Sequence, residues 1–129
     1  MLTDVLIADD EVDFLDEVSL GLRLFGWSTT TCSSVSSVLE NLSRRTDRLA
    51  ALIVDRSFSD GDFLQIVRFF EGNPSIPKPN VIILVTGSIV YSLPKSVCCP
   101  VRTLFKPVSV LELDEIIRAH LPDHTAEEK

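Results

Sequence analysis

Asp9, Asp10, Asp55, Thr86 and Lys106 each stand at or just past the carboxyl end of an apolar run. Brought into one pocket, three acids, a hydroxyl and an ammonium would bind a divalent cation and a phosphoryl group. Mg2+ takes octahedral oxygen coordination from one or two carboxylates and keeps waters that phosphate oxygens can replace. A lysine at the same place can pair with Asp55 or with a phosphoryl oxygen, and the Thr86 hydroxyl, followed by flexible Gly87, can donate to that oxygen too. Each residue alone has an ordinary reading. The adjacent acids could be a turn or helix cap, Lys106 a solvated charge, and Thr86 a strand-end threonine. Asp55 fits such a reading less easily, because a carboxylate directly after five apolar residues is costly to hold near other acids unless a cation compensates it.

A parallel sheet would gather these residues. The runs Val5 to Ala8, Ala50 to Val54, Val81 to Val85 and Val101 to Phe105 read as strands, with Ser28 to Cys32 as a short, Thr-rich one. Most are apolar throughout rather than alternating, which suits strands covered on both faces. Helical patterns lie between them. Val12 to Phe25 carries a stripe of Phe14, Leu15, Val18, Leu22 and Phe25 and stops at Gly26; a second helix, capped by Ser36 or Ser37, carries Val38, Leu39 and Leu42. Asp62 caps a third, Phe63 to Glu71, stopped by Gly72-Asn73-Pro74, and Ser109 caps the last, which ends before Pro122. Alternation demands another helix between Ser88 and Pro100, where Pro94 interrupts it, so a short or distorted fourth helix is expected. The expected fold is a doubly wound α/β domain over residues 1–122 with a polar tail at 123–129. Its five-stranded parallel sheet has the order 2-1-3-4-5. The switch point of that order falls between the strands that carry Asp9, Asp10 and Asp55.

A length of 129 residues with 45% hydrophobic composition suits one domain with a real core. The net charge of −7 lacks the basic footprint that nucleic-acid backbones require, so direct DNA or RNA binding is not expected. No apolar run approaches the roughly 20 residues of a membrane span, and Met1-Leu2-Thr3-Asp4 lacks the basic start of a secretion signal. A cytoplasmic location follows as the expectation. Cys32, Cys98 and Cys99 lack metal-ligand spacing and read as small thiols in a reducing compartment.

The pattern Asp9-Asp10, Asp55, Thr86-Gly87 and Lys106-Pro107 resembles the receiver (response-regulator) domain of two-component and phosphorelay signalling, a flavodoxin-like fold, over nearly the whole chain. The resemblance implies that Asp55 is the phospho-acceptor. It makes Asp10, Asp55 and the Ser57 carbonyl the Mg2+ ligands, with Asp9 assisting through water, and sets Thr86 and Lys106 against the phosphoryl group. A cis Lys106-Pro107 peptide would aim the ammonium into the site. The implied partner is a histidine kinase or histidine phosphotransfer protein, docking on the first helix near Val12, Leu15 and Val18. An output domain or target protein would read the result. Such a chain catalyses its own phosphorylation and slow dephosphorylation, so it is a switch rather than a metabolic enzyme.

Three departures from the family pattern stand out. Thr103 occupies the place where most receivers have an aromatic residue, and Phe105, on the same strand face by the two-residue period, is the candidate substitute. Ser59 stands where a proline is common, in a shortened loop, so a more mobile acceptor loop is expected. The compressed fourth helix implies an altered partner surface. These departures also support an alternative reading as a pseudo-receiver, an interaction module with little or no phosphotransfer. A metal-dependent hydrolase of another α/β family would need a general base or deep substrate pocket, and the sequence offers neither.

Overall fold

Aliphatic runs become strands and amphipathic stretches become helices in the computed structural model, which describes residues 4–87 and 99–122. In chain order the elements are β1 (Asp4–Ala8), α1 (Val12–Leu24), β2 (Ser28–Cys32), α2 (Val35–Ser43), β3 (Ala51–Asp55), the two-residue strands β4 (Ser57–Phe58) and β5 (Gly61–Asp62), α3 (Phe63–Gly72), β6 (Ile82–Thr86), β7 (Val101–Phe105) and α4 (Val110–Ala119). Five strands form one sheet in the order β2-β1-β3-β6-β7, every neighbouring pair parallel. This is the expected doubly wound order. The small antiparallel β4-β5 hairpin was not anticipated.

Both faces of the sheet are dry. Val5, Ile7, Ile53 and Ile83 pack with Leu15, Val18 and Leu22 of α1 and with Leu113 and Ile117 of α4. Their sequence neighbours Leu6, Leu52, Ile82 and Leu84 point the other way, onto Val38 and Leu42 of α2 and Ile66 and Phe70 of α3. Successive side chains alternate between faces, so helices on both sides demand a continuous apolar run instead of an alternating one. β3 and β6 each begin one residue later than expected, and their last residues are Asp55 and Thr86. The polar groups of the site are therefore aligned by strand register: Asp55 lies opposite Val85, and Thr86 opposite Phe105.

The start of α2 corrects the sequence reading. Its N-cap is Ser34, not Ser36 or Ser37. The Ser34 hydroxyl accepts from the Ser37 amide at 3.1 Å, and Ser37 Oγ accepts from the Ser34 amide at 3.2 Å, a reciprocal capping box. Starting here lets Val35, which is 2% exposed, reach the core from the first turn. Among serines on both sides of Val35 propensity does not choose, so the burial of Val35 does. Asp62 and Ser109 cap α3 and α4 as expected. The expected short or distorted fourth helix, Cys98 and the polar tail lie outside the described residues, apart from Cys99 and Pro100 at the end of that segment. Among the described residues no helix is long and apolar enough to cross a membrane.

A buried polar contact fastens α4. Trp27 Nε1 donates to Asp114 Oδ1 at 2.7 Å, both side chains being buried. Arg118 donates to both oxygens of Asp114 at 3.0 and 3.1 Å and to the Phe25 carbonyl at 3.1 Å, with its guanidinium 5.3 Å from the Trp27 ring centre. Beside this contact α1 and α4 approach closely: a Cβ on Gly21 would come within 2.7 Å of Val110 Cγ2, so the position takes no larger residue without movement. Asp114→Leu should destabilise the protein by about 1–3 kcal/mol, because it strands the indole N–H in a dry site. Asp114→Asn keeps an acceptor oxygen and should cost clearly less. Equilibrium urea unfolding measures both, and equal losses would contradict the role given to the hydrogen bond.

Candidate functional site

Where β1 ends, the chain turns into α1 through Asp9, Asp10 and Glu11. Asp9 is fully buried. Its amide donates to the Cys32 carbonyl at 3.1 Å, which ties its main chain to β2, and its Oδ1 accepts from the Glu11 amide at 2.9 Å, which fixes the carboxylate at the start of α1. Asp10 is exposed, and Asp55 is half-buried at the end of β3 with its Oδ1 accepting from the Arg56 amide at 2.8 Å. Carboxylate oxygens of Asp9, Asp10 and Asp55 all lie within 4.8 Å of one another. The three acids singled out from the sequence thus meet at the switch point between β1 and β3.

Lys106 follows β7, and its amide donates to the Thr86 carbonyl at 2.9 Å, joining two further site residues through the backbone. The Lys106-Pro107 peptide is cis. Lys106 Nζ lies 2.8 Å from Asp9 Oδ2 and 2.8 Å from Glu11 Oε1, and 4.6 Å from the centre of the Phe14 ring. Of the two partners the sequence offered for Lys106, Asp55 or a phosphoryl oxygen, Asp55 is not the one paired here; the ammonium bridges Asp9 and Glu11. Glu11 and Phe14 are site neighbours that the sequence pattern does not reveal. An acid directly after Asp9-Asp10 at a helix start was the available signal for Glu11, but nothing in the sequence aimed its side chain at Lys106. Thr86 is 2% exposed at the end of β6. Ser57 is exposed, two residues beyond Asp55 at the start of β4.

The charges are unbalanced. Burial raises the Asp55 pKa above the ordinary carboxylate value, and the neighbouring charges of Asp9 and Asp10 add to this, while Lys106 and the Arg56 amide oppose it. Lys106 shows the complement. Burial alone would lower its pKa, yet hydrogen bonds to Asp9 and Glu11 and the charges of Asp55 and Asp9 outweigh that and hold the ammonium well above the usual lysine value. The hydrogen bond from Lys106 in turn lowers the Glu11 pKa. One lysine does not neutralise this cluster. A group of convergent, partly buried carboxylate oxygens with excess negative charge suits a hard divalent cation.

The loop after Asp55, where Ser59 replaces the usual proline, has ordered secondary structure. It closes as the β4-β5 hairpin, with Phe58 8% exposed in the core. At its tip Asp60 accepts from the Val35 amide at 2.9 Å and the Ser36 amide at 3.0 Å, with both oxygens on the first turn of α2. Those amides lower the Asp60 pKa. The bare N–H groups of a helix start supply the anchor that a proline does not have to provide. Phe105, the candidate substitute for the missing aromatic, is 56% exposed on the edge strand β7.

The fold, a parallel sheet of this order, is one the chain shares with solved response regulator receiver domains. The chain matches the crystal structure of a CheY-like response regulator receiver domain protein from Methanospirillum hungatei JF-1 with a TM-score of 0.76 and 21% identity, over 98% of this chain and 99% of that one. The signal receiver domain of a putative Luxo repressor protein from Vibrio parahaemolyticus matches at TM-score 0.79 and 16% identity, over 99% and 96% of the two chains. The beryllofluoride-activated NtrC4 receiver domain dimer, a solution structure, matches at 0.73 and 23% identity over 91% and 94%. No protein-family profile and no curated protein matches the chain at the level of sequence.

Proposed function

We propose that the chain is a phospho-acceptor receiver domain of two-component signal transduction, which takes a phosphoryl group from a phosphohistidine onto Asp55 and thereby changes what it binds. The observation that carries this reading is the meeting of Asp9, Asp10 and Asp55 oxygens within 4.8 Å, beside Lys106, at the strand ends of a receiver fold. The donor would be a histidine kinase or histidine phosphotransfer protein, and an output domain or target protein would read the change.

Asp9, Asp10, Asp55 and the Ser57 carbonyl are the groups that would hold Mg2+. Bound there, the ion would supply positive charge to the phosphoryl oxygens. Asp55 then attacks phosphorus with a carboxylate oxygen: an O–P bond forms, the N–P bond of the phosphohistidine breaks, and its electron pair returns to the imidazole, which takes a proton. Thr86 would donate its hydroxyl to a phosphoryl oxygen, and Lys106 its ammonium to another. The half-buried position of Asp55 leaves it open to a donor on one side, while Lys106, after β7, supplies the counter-charge that partly offsets the neighbouring acids of the β1-α1 turn.

Incubation with a small phosphodonor and Mg2+ should add one phosphoryl group by intact mass, and chelation with EDTA should reduce the addition by at least about tenfold. A chain that stays unmodified under both conditions would instead be a pseudo-receiver interaction module.

A further inference from the structure

The Lys106 ammonium has three N–H donors, and two are committed, at 2.8 Å each, to Asp9 and Glu11. Those two acceptors are unlike. The Asp9 side chain is fully shielded and fixed by backbone, whereas that of Glu11 is 65% exposed. Exposed ion pairs are weak and screened, and buried hydrogen-bonded ones are costly to break. An anion entering the crevice would therefore draw Lys106 away from Glu11 and leave the Asp9 contact in place.

Glu11 and Phe14 both belong to the start of α1, with Glu11 as the N-cap. Together they hold the ammonium on the α1 side of the crevice, where Glu11 also adds negative charge next to the place an anion would occupy. Both effects have the same sign. We propose that Glu11 is a positioning residue that competes with the phosphoryl group for Lys106 and so weakens anion binding at the acceptor site. This deepens the acceptor reading and rests on it.

The test is calorimetric titration with beryllofluoride, a phosphoryl mimic, at saturating Mg2+, on the whole chain and on two variants. Glu11→Gln should bind the mimic about two- to fivefold more tightly, the size of one exposed ion pair. Glu17→Gln makes the same change of charge at an exposed position of α1 and should match the wild type. In metal-free protein, reductive methylation of the Lys106 amine, followed by peptide mass, should be faster in Glu11→Gln than in either other protein. Circular dichroism checks that the variants fold. Unchanged or weaker binding by Glu11→Gln, or an equal gain in Glu17→Gln, overturns the proposal while the acceptor reading stands. A wild type that ignores beryllofluoride with Mg2+ present overturns the acceptor reading and this inference with it.

Discussion

Asp55→Asn is expected to abolish phosphorylation and, in metal-free buffer at neutral pH, to raise the melting temperature. The first effect is complete because the amide has no nucleophilic oxygen anion and no acyl phosphate can form. Intact mass reports it directly. The second effect comes from the raised pKa of Asp55 in the folded chain. A carboxyl whose folded pKa exceeds its unfolded value, about 3.9 for aspartate, supports folding fully only below that value. The support is lost as pH rises through the folded pKa. At neutral pH the wild type thus folds against a charge it holds poorly, and asparagine removes that charge. The gain should be a few degrees, should vanish near about pH 3, and should reverse when Mg2+ is added, since the cation favours the ionised wild type. A variant that melts lower than wild type in EDTA would contradict the electrostatic description, whatever its labelling.

Phe70→Ala should have the largest effect on stability. The ring is fully buried among the residues joining α2 and α3 to the sheet, edge-on to Phe69 at 6.2 Å and with the Lys78 ammonium 5.5 Å from its centre. Truncating a buried phenylalanine costs about 3–5 kcal/mol, the lost transfer energy plus the cavity left behind. Domains of this size are stable by only about 5–15 kcal/mol. The variant should therefore unfold at much lower urea with an unchanged slope. A loss below about 1 kcal/mol would show that the helices collapse onto the gap.

The sheet and the three acids were legible because each depends on local pattern. Continuous aliphatic runs mark strands buried on both faces, and a polar residue ending such a run is placed at the strand's carboxyl end whatever the surroundings. Shifts of one residue at the starts of β3 and β6 do not disturb that logic. What could not be read were contacts between side chains distant in sequence. Lys106 reaches Glu11 across 95 positions, and Asp60 reaches the α2 amides across 25 and 24. Neither has a signature in spacing. In the loop after Asp55 the absence of a proline said nothing of the contact that forms there, with aspartate, a residue well suited to bind exposed helix amides. The α2 cap failed for a related reason, since several serines offered equal capping chemistry and only the burial of Val35 chose between them.

The lone tryptophan of the chain is Trp27, wedged against Asp114 and Arg118. Its emission is thereby a built-in gauge of whether the C-terminal helix is seated. Colour and intensity should stay constant if ions or phosphoryl mimics are added at the Asp55 site on the opposite rim of the sheet, and change only as α4 peels away, giving an unfolding readout independent of that site.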